Sequence, residues 1–247
     1  MTAMSTTPAP HLPEAVLRPV RGHHAFESCV EQLATAIRLG VYPRGTTLPA
    51  ERELAERLQV SRATLREAMA ALRQAGLVET TRGRGGGTVV TLKPGLPAAR
   101  AAARTSTARR QSWLDSLDFR RIVEPGAAAL AASRDLAPDR LAQLEEAHAE
   151  VASASKPAEH RQADSRFHLT VAALTDSPRT VEAVTSVQAT LHEMLLAIPV
   201  LGTNIAHSDR QHARLVRAIV AGKPDLARRV MEEHCDDTAA LLRGLVG

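Results

Sequence analysis

The chain has 247 residues, room for two domains of ordinary size, and carries a net charge of +4. Aromatic residues make up only 2%, which argues against a base-stacking platform for single strands or RNA, and Cys29 and Cys235 lie in different predicted domains, so no disulfide framework is expected. No apolar run approaches membrane-spanning length and the Thr/Pro-rich start lacks the apolar stretch of a signal peptide, so the expected compartment is the cytoplasm. The charge is unevenly placed: residues 1–110 hold 16 Lys/Arg against 8 Asp/Glu, and residues 111–247 hold 15 against 19. A basic N-terminal half beside an acidic C-terminal half implies that only the first meets a polyanion.

In chain order, residues 1–20 are rich in Thr, Pro and Ala without periodicity and are expected to form a disordered tail. Residues 21–92 read as the first domain. Its opening helix spans Ala25 to Leu39, with Val30, Leu33, Ala34 and Ile37 on one face, and stops at Gly40. Thr46-Thr47-Leu48 is a short strand. Helical patterns follow at Glu51–Leu58 and Ser61–Gly76, parted only by Gln59 and Val60, which is a helix-turn-helix. Two β-branched runs, Leu77–Thr81 and Thr88–Thr91, flank Arg82-Gly83-Arg84-Gly85-Gly86-Gly87, a cationic hairpin tip almost free of side chains: a wing. Residues 93–110 form a Pro/Gly/Ala/Arg linker without an acidic residue. From 111 to 247 every segment is helical: Trp113–Ser133, Pro138–Ser153, Pro157–Thr175, Pro178–Ile198, Asn204–Ala221 and Pro224–Leu245. The prolines at 138, 157, 178 and 224 sit at helix starts, where a missing N–H costs little. The fold class is therefore mainly α, a winged helix-turn-helix with a small β wing followed by an all-helical bundle.

Ser61 is placed to N-cap the second helix of the helix-turn-helix, and Arg62, Thr64 and Arg66 occupy its first turns, the end that enters a major groove. Arginine suits bidentate contact with guanine O6 and N7. Arg52 can reach the backbone or groove edge, Gly83 lets the wing main chain approach, and Arg82 and Arg84 supply charge. Leu54, Leu58, Val60, Leu65, Met69 and Leu72 are helix-spaced core.

The run Thr47-Leu48-Pro49-Ala50-Glu51-Arg52-Glu53-Leu54-Ala55, then Val60-Ser61-Arg62-Ala63-Thr64-Leu65-Arg66-Glu67-Ala68, resembles the winged-helix domain of the GntR family of bacterial transcriptional regulators. The resemblance covers about residues 25–92 and implies operator contacts at Arg52, Arg62, Thr64, Arg66, Arg82 and Gly83. Ala63 departs from the family, where many members carry Thr, so a contact is lacking there.

In the helical half, Asp164 and His168 are four apart and share a helix face, His212 lies on the next-to-last helix and His234 on the last. Taken singly, each histidine is a core residue satisfied by hydrogen bonds. Taken together, three histidines and a carboxylate facing one interior suit a divalent cation such as zinc or nickel. The segments Asp118–Pro125, Asp164–His168, His212–Ile219 and Met231–His234 resemble the signatures of the FCD effector domain of FadR-type GntR regulators. The metal-binding members of that subgroup use an Asp-x3-His pair and two later histidines, so the resemblance implies that Asp164, His168, His212 and His234 hold a metal beside a small carboxylate effector. Arg120 or Arg121 could pair with that carboxylate, Arg120 being favoured; the bland role for either is an ion pair with Glu124. His160, one turn before Asp164, could substitute as a ligand, but a surface position is favoured for it; His148, His192 and His207 have no such role, and Cys235 is a small core thiol.

These readings converge on a homodimeric regulator, most simply a repressor, that binds a palindromic double-stranded operator and answers to a carboxylate through the linker. The rivals are a metal-sensing regulator and, from another class, a metal-dependent hydrolase, for which no general base stands out.

Overall fold

The computed structural model describes residues 12–20, 25–81, 87–91, 107–197 and 202–246. The expected tail is shorter than the composition implies. Leu12–Val16 forms a helix (α1), Val16 and Leu17 are buried, and Val20 N donates to Leu58 O at 2.8 Å. Four apolar residues in six (Leu12, Ala15, Val16, Leu17) are enough for one turn once a core offers them a groove.

Helix α2 (Ala25–Arg38) buries Cys29, Leu33, Ala34 and Ile37 and is stopped by Gly40 in the left-handed region, φ +73°. Helices α3 (Glu51–Leu58) and α4 (Arg62–Gln74) are joined through Gln59, also left-handed at φ 52°. The Ser61 hydroxyl accepts from Thr64 N at 3.0 Å and so caps α4. Strands β1 (Val78–Thr81) and β2 (Gly87–Val90) pair antiparallel with Val78 opposite Val90. The third strand appears as a bridge from Thr47 to Val89, with Leu48 N donating to Thr88 O at 2.8 Å. Leu33, Ile37, Leu54, Leu58, Leu65, Met69, Leu72 and Val78 close the core of this domain.

The second half is a bundle of α5 (Thr107–Ala132), α6 (Pro138–Ser153), α7 (Pro157–Ala173), α8 (Pro178–Ala197), α9 (Gly202–Val220) and α10 (Pro224–Val246). The four prolines begin α6, α7, α8 and α10 as expected. Helix α5 starts six residues earlier than the periodicity suggests, so residues 107–110 belong to it and not to the linker, whose stretch from 93 to 106 lies outside the described residues. Arg109 explains the extension: it pairs with Glu193 at 2.7 Å and lies over the Trp113 ring. Helix α5 runs against α7, α8, α9 and α10, and Phe167, Leu144, Val171, Leu215, Ile219 and Met231 fill the interior.

The two halves meet along α7. Gln162 Nε2 donates to the carbonyls of Ile37 and Arg38, each at 3.4 Å, and Arg166 Nη1 donates to Gly40 O at 3.1 Å. These bonds add acceptor partners at the C-terminus of α2, where the Ile37 carbonyl also accepts from Gly40 N at 3.1 Å. Leu169, Ala172, Val181 and Val184 join the winged-domain core beneath them. At 100° per residue, Gln162, Arg166 and Leu169 lie on the face of α7 roughly opposite Asp164 and His168.

Candidate functional site

The surface of α4 carries the first site. Ser61, Arg62 and Arg66 are exposed and Thr64 is half-buried. The Thr64 hydroxyl stands 2.9 Å from Ser61 Oγ, so Thr64 works partly within the cap. Among the described residues, Arg66 reaches the Arg62 carbonyl at 3.4 Å, and Arg52 reaches Glu56 at 3.2 Å in solvent. Exposed pairs of this kind are worth little and yield readily to a polyanion. Arg73 bonds Thr80 at 3.4 Å, and Thr80 bonds Thr88 at 3.0 Å, which ties the wing to the back of α4. Arg82 and Gly83, expected at the wing tip, lie outside the described residues.

The second site is a buried cluster of polar side chains inside the bundle. His168 from α7, His212 from α9 and His234 from α10 bring ligating atoms within 4.8 Å of one another, all three rings buried. Asp164 Oδ1 lies 3.6 Å from His212 Nε2, too long for a hydrogen bond. It is close to the ~3.4 Å edge expected of two ligands about 2.1 Å from one tetrahedral metal. Neither nitrogen of His168 or His212 has a hydrogen-bond partner, a costly condition for buried polar atoms. Burial, with the neighbouring His168 and Arg120, pushes His212 well below the ordinary histidine range; burial, then His212 and Arg120, does the same to His234. Neutral imidazole is the ligating form. The donor set, its charge state and its orphaned atoms fit a divalent cation.

Sequence reasoning gave Glu124 only a bland role, yet it organises this cluster. It is 2% exposed, accepts from Arg120 Nε at 3.1 Å and from Gln188 Nε2 at 2.6 Å, and its Oε2 lies 2.9 Å from His168 Nδ1 with the ring turned off the hydrogen-bond line. Burial alone would raise its carboxyl, but Arg120 and then His168 outweigh that and hold it at about 2. An Arg-x3-Glu spacing on a core-facing helix was the available signal. Arg120 itself is 1% exposed and, beyond its bond to Glu124, both Nη atoms lack partners. Of the two roles weighed for Arg120, the ion pair with Glu124 is present, and the two Nη atoms remain as donors for a further anion. Arg121 instead turns outward to Asp236 at 2.7 Å and Glu232 at 3.3 Å. His160 pairs with Asp209 at 3.2 Å and so is committed away from the cluster. Burial raises the Cys235 thiol to about 12, in keeping with an inert core residue.

Residues 26–90 match the family of bacterial regulatory proteins, gntR family, and residues 115–237 match the FCD domain. The HTH-type transcriptional regulator RmpR of Mycobacterium gastri is 33% identical over 219 residues, covering 84% of this chain and 76% of that protein. The chain belongs to the GntR family. A second GntR relative, the Glc operon transcriptional activator of Escherichia coli, is 30% identical over 221 residues, 84% of this chain and 85% of its own. Among solved structures, McbR/YncC of E. coli aligns over 90% of this chain and 99% of its own, with a TM-score of 0.54 at 18% identity, a likeness of fold alone. These matches make the chain a DNA-binding transcriptional regulator rather than an enzyme, and the hydrolase alternative is set aside. No described helix is long and apolar enough to cross a membrane.

Proposed function

We propose that this GntR-family chain is a cytoplasmic, homodimeric repressor whose hold on a palindromic operator is altered by a small carboxylate bound in the bundle beside a divalent metal, zinc or nickel. One observation carries the carboxylate: a fully buried guanidinium, Arg120, has two unpartnered Nη atoms in a cluster with unpartnered histidine nitrogens. A buried cation of this kind is stabilised by a second anion, and a carboxylate fits its fork. Asp164, His168, His212 and His234 would hold the metal, which supplies a positive centre for one carboxylate oxygen. Glu124 fixes Arg120 from behind, and Phe167, with its ring 4.6 Å from His212, helps keep water out.

Coupling to DNA runs through α7, whose one face presents Asp164 and His168 while the opposite face grips the end of α2. A carboxylate that binds one domain arrangement better than another shifts the operator affinity by that difference. The partner in the dimer is a second copy docked on the exposed apolar stripe of α5, Phe119, Ile122 and Leu130, with Ile122 73% exposed. Ile122→Asp should convert the dimer to monomer in sedimentation; an unchanged dimer would place the interface elsewhere.

The central test measures operator binding by anisotropy with L-lactate or acetate, each with and without Zn(II). L-lactate is chosen because the L-lactate dehydrogenase operon regulatory protein of E. coli is 31% identical over 202 residues. A carboxylate-dependent change that needs the metal supports the reading, and a response to Zn(II) alone favours the metal sensor. No response to any of these carboxylates, with metal loaded, counts against the effector site. Reporter transcription decides repression against activation, the role of the Glc operon relative.

A further inference from the structure

The hydrogen bonds around His234 do not end at the ring; they run outward to the surface. His234 Nδ1 lies 3.1 Å from Gln211 Oε1, and Gln211 Nε2 donates to Asp237 Oδ2 at 2.7 Å. The same Asp237 oxygen is 2.8 Å from Nε2 of His207, which is half-exposed. Gln211, by contrast, is buried at 4% exposure.

Donor and acceptor chemistry fixes every member of this chain. An ionised carboxylate only accepts, so the nitrogen of the Gln211 amide must face Asp237. That turns Oε1, an acceptor without a hydrogen, toward His234. The neutral His234 ring must therefore carry its one hydrogen on Nδ1, leaving the lone pair on Nε2. We propose that Gln211, anchored by Asp237 and His207, is a positioning residue that holds His234 in the Nδ1–H tautomer and thereby selects Nε2 as its ligating atom. The ligation half rests on the metal reading above; the tautomer half stands without it. His168 has Glu124 beside Nδ1, whereas His212 has no hydrogen-bond partner at either nitrogen. Of the three rings, only His234 is thus fixed by a hydrogen bond from outside the cluster.

The test uses the full chain stripped of metal. Long-range proton–nitrogen NMR correlations should show His234 as the Nδ1–H tautomer, and Gln211→Leu should move it toward a mixture. Zn(II) titration against a chelator should then show Gln211→Leu weakened about 10–100-fold, the range for loss of a ligand's outer partner. The swapped pair Gln211→Glu with Asp237→Asn keeps an acceptor toward the ring and a donor behind it, and should recover most of that affinity; a purely space-filling role would not favour the swap. If Gln211→Leu fails to fold, Asp237→Asn at the exposed end should still yield mixed tautomers, because its amide no longer dictates which way Gln211 turns. His234 carrying its hydrogen on Nε2 in the unaltered chain, or Gln211→Leu binding Zn(II) as tightly as the parent, overturns the proposal. A parent chain that binds no Zn(II) refutes the metal reading instead, while the NMR result still judges Gln211.

Discussion

Arginine is used in opposite ways in the two halves of the molecule. On the winged domain, Arg52, Arg62 and Arg66 stand in solvent with at most weak local bonds, so little has to be broken before they meet phosphate or base. In the bundle, Arg120 is sealed in, tethered by Glu124 through Nε, with the donors on both Nη atoms idle. The difference tells what each half is built to meet. A surface array suits a large polyanion that comes to the protein, whereas a buried fork suits a small anion that must shed its water to enter.

Variants in each half sharpen that contrast. The largest effect belongs to His212→Ala, which removes a ligand with no substitute nearby: elemental analysis should find metal lost from the purified protein, with affinity down more than about 100-fold, beyond the loss expected for an outer partner. Full stoichiometric metal would contradict the assigned site. Next is Arg120→Met combined with Glu124→Gln, which should abolish the carboxylate response while leaving effector-free operator binding intact. The single Arg120→Met is a poorer probe, because stranding a buried Glu124 costs about 3–5 kcal/mol. On the exposed side, Arg66→Ala should weaken the specific operator by about 1–3 kcal/mol, or roughly 10–100-fold, with unchanged helical circular dichroism. Equal affinity at physiological salt would contradict the assigned recognition helix.

The smallest effect is a pH slope. Burial, with Arg161 and Arg38 adding repulsion, pulls His192 from 6.5 down to about 4. Below pH 6.5 an unfolded His192 takes up a proton that the folded one refuses until about pH 4, so falling pH across that window favours unfolding. His192→Leu should flatten the fall in melting temperature between pH 6.5 and pH 4; an identical slope would mean that the ring titrates alike in the folded and unfolded chain.

The winged domain was nearly complete in the sequence because its signals are local. Ser61 caps three residues ahead, Gln59 turns within the break, and the paired wing residues run from Thr81 with Gly87 to Val78 with Val90, all within one short stretch of chain. The proposed metal ligands gained weight mainly through a family resemblance, since His168, His212 and His234 come from three helices whose docking no short window encodes. Glu124 was undervalued for the same reason: its partners His168 and Gln188 are 44 and 64 residues away. The segment 12–17 was misjudged because its apolar residues form a pattern only against a surface supplied by the bundle and the winged core.

Gly40 shows where the two halves are pinned. A methyl group there would sit 2.6 Å from Arg166 Nη1 and 2.8 Å from Gln162 Cβ, on a backbone already at φ +73°. Helix α2 can thus rest on α7 only where its last carbonyls are bare. An alanine at this point would act as a wedge, prying the winged domain from the bundle while leaving each with its own interior, and on the proposed function it would uncouple operator binding from the effector without abolishing either.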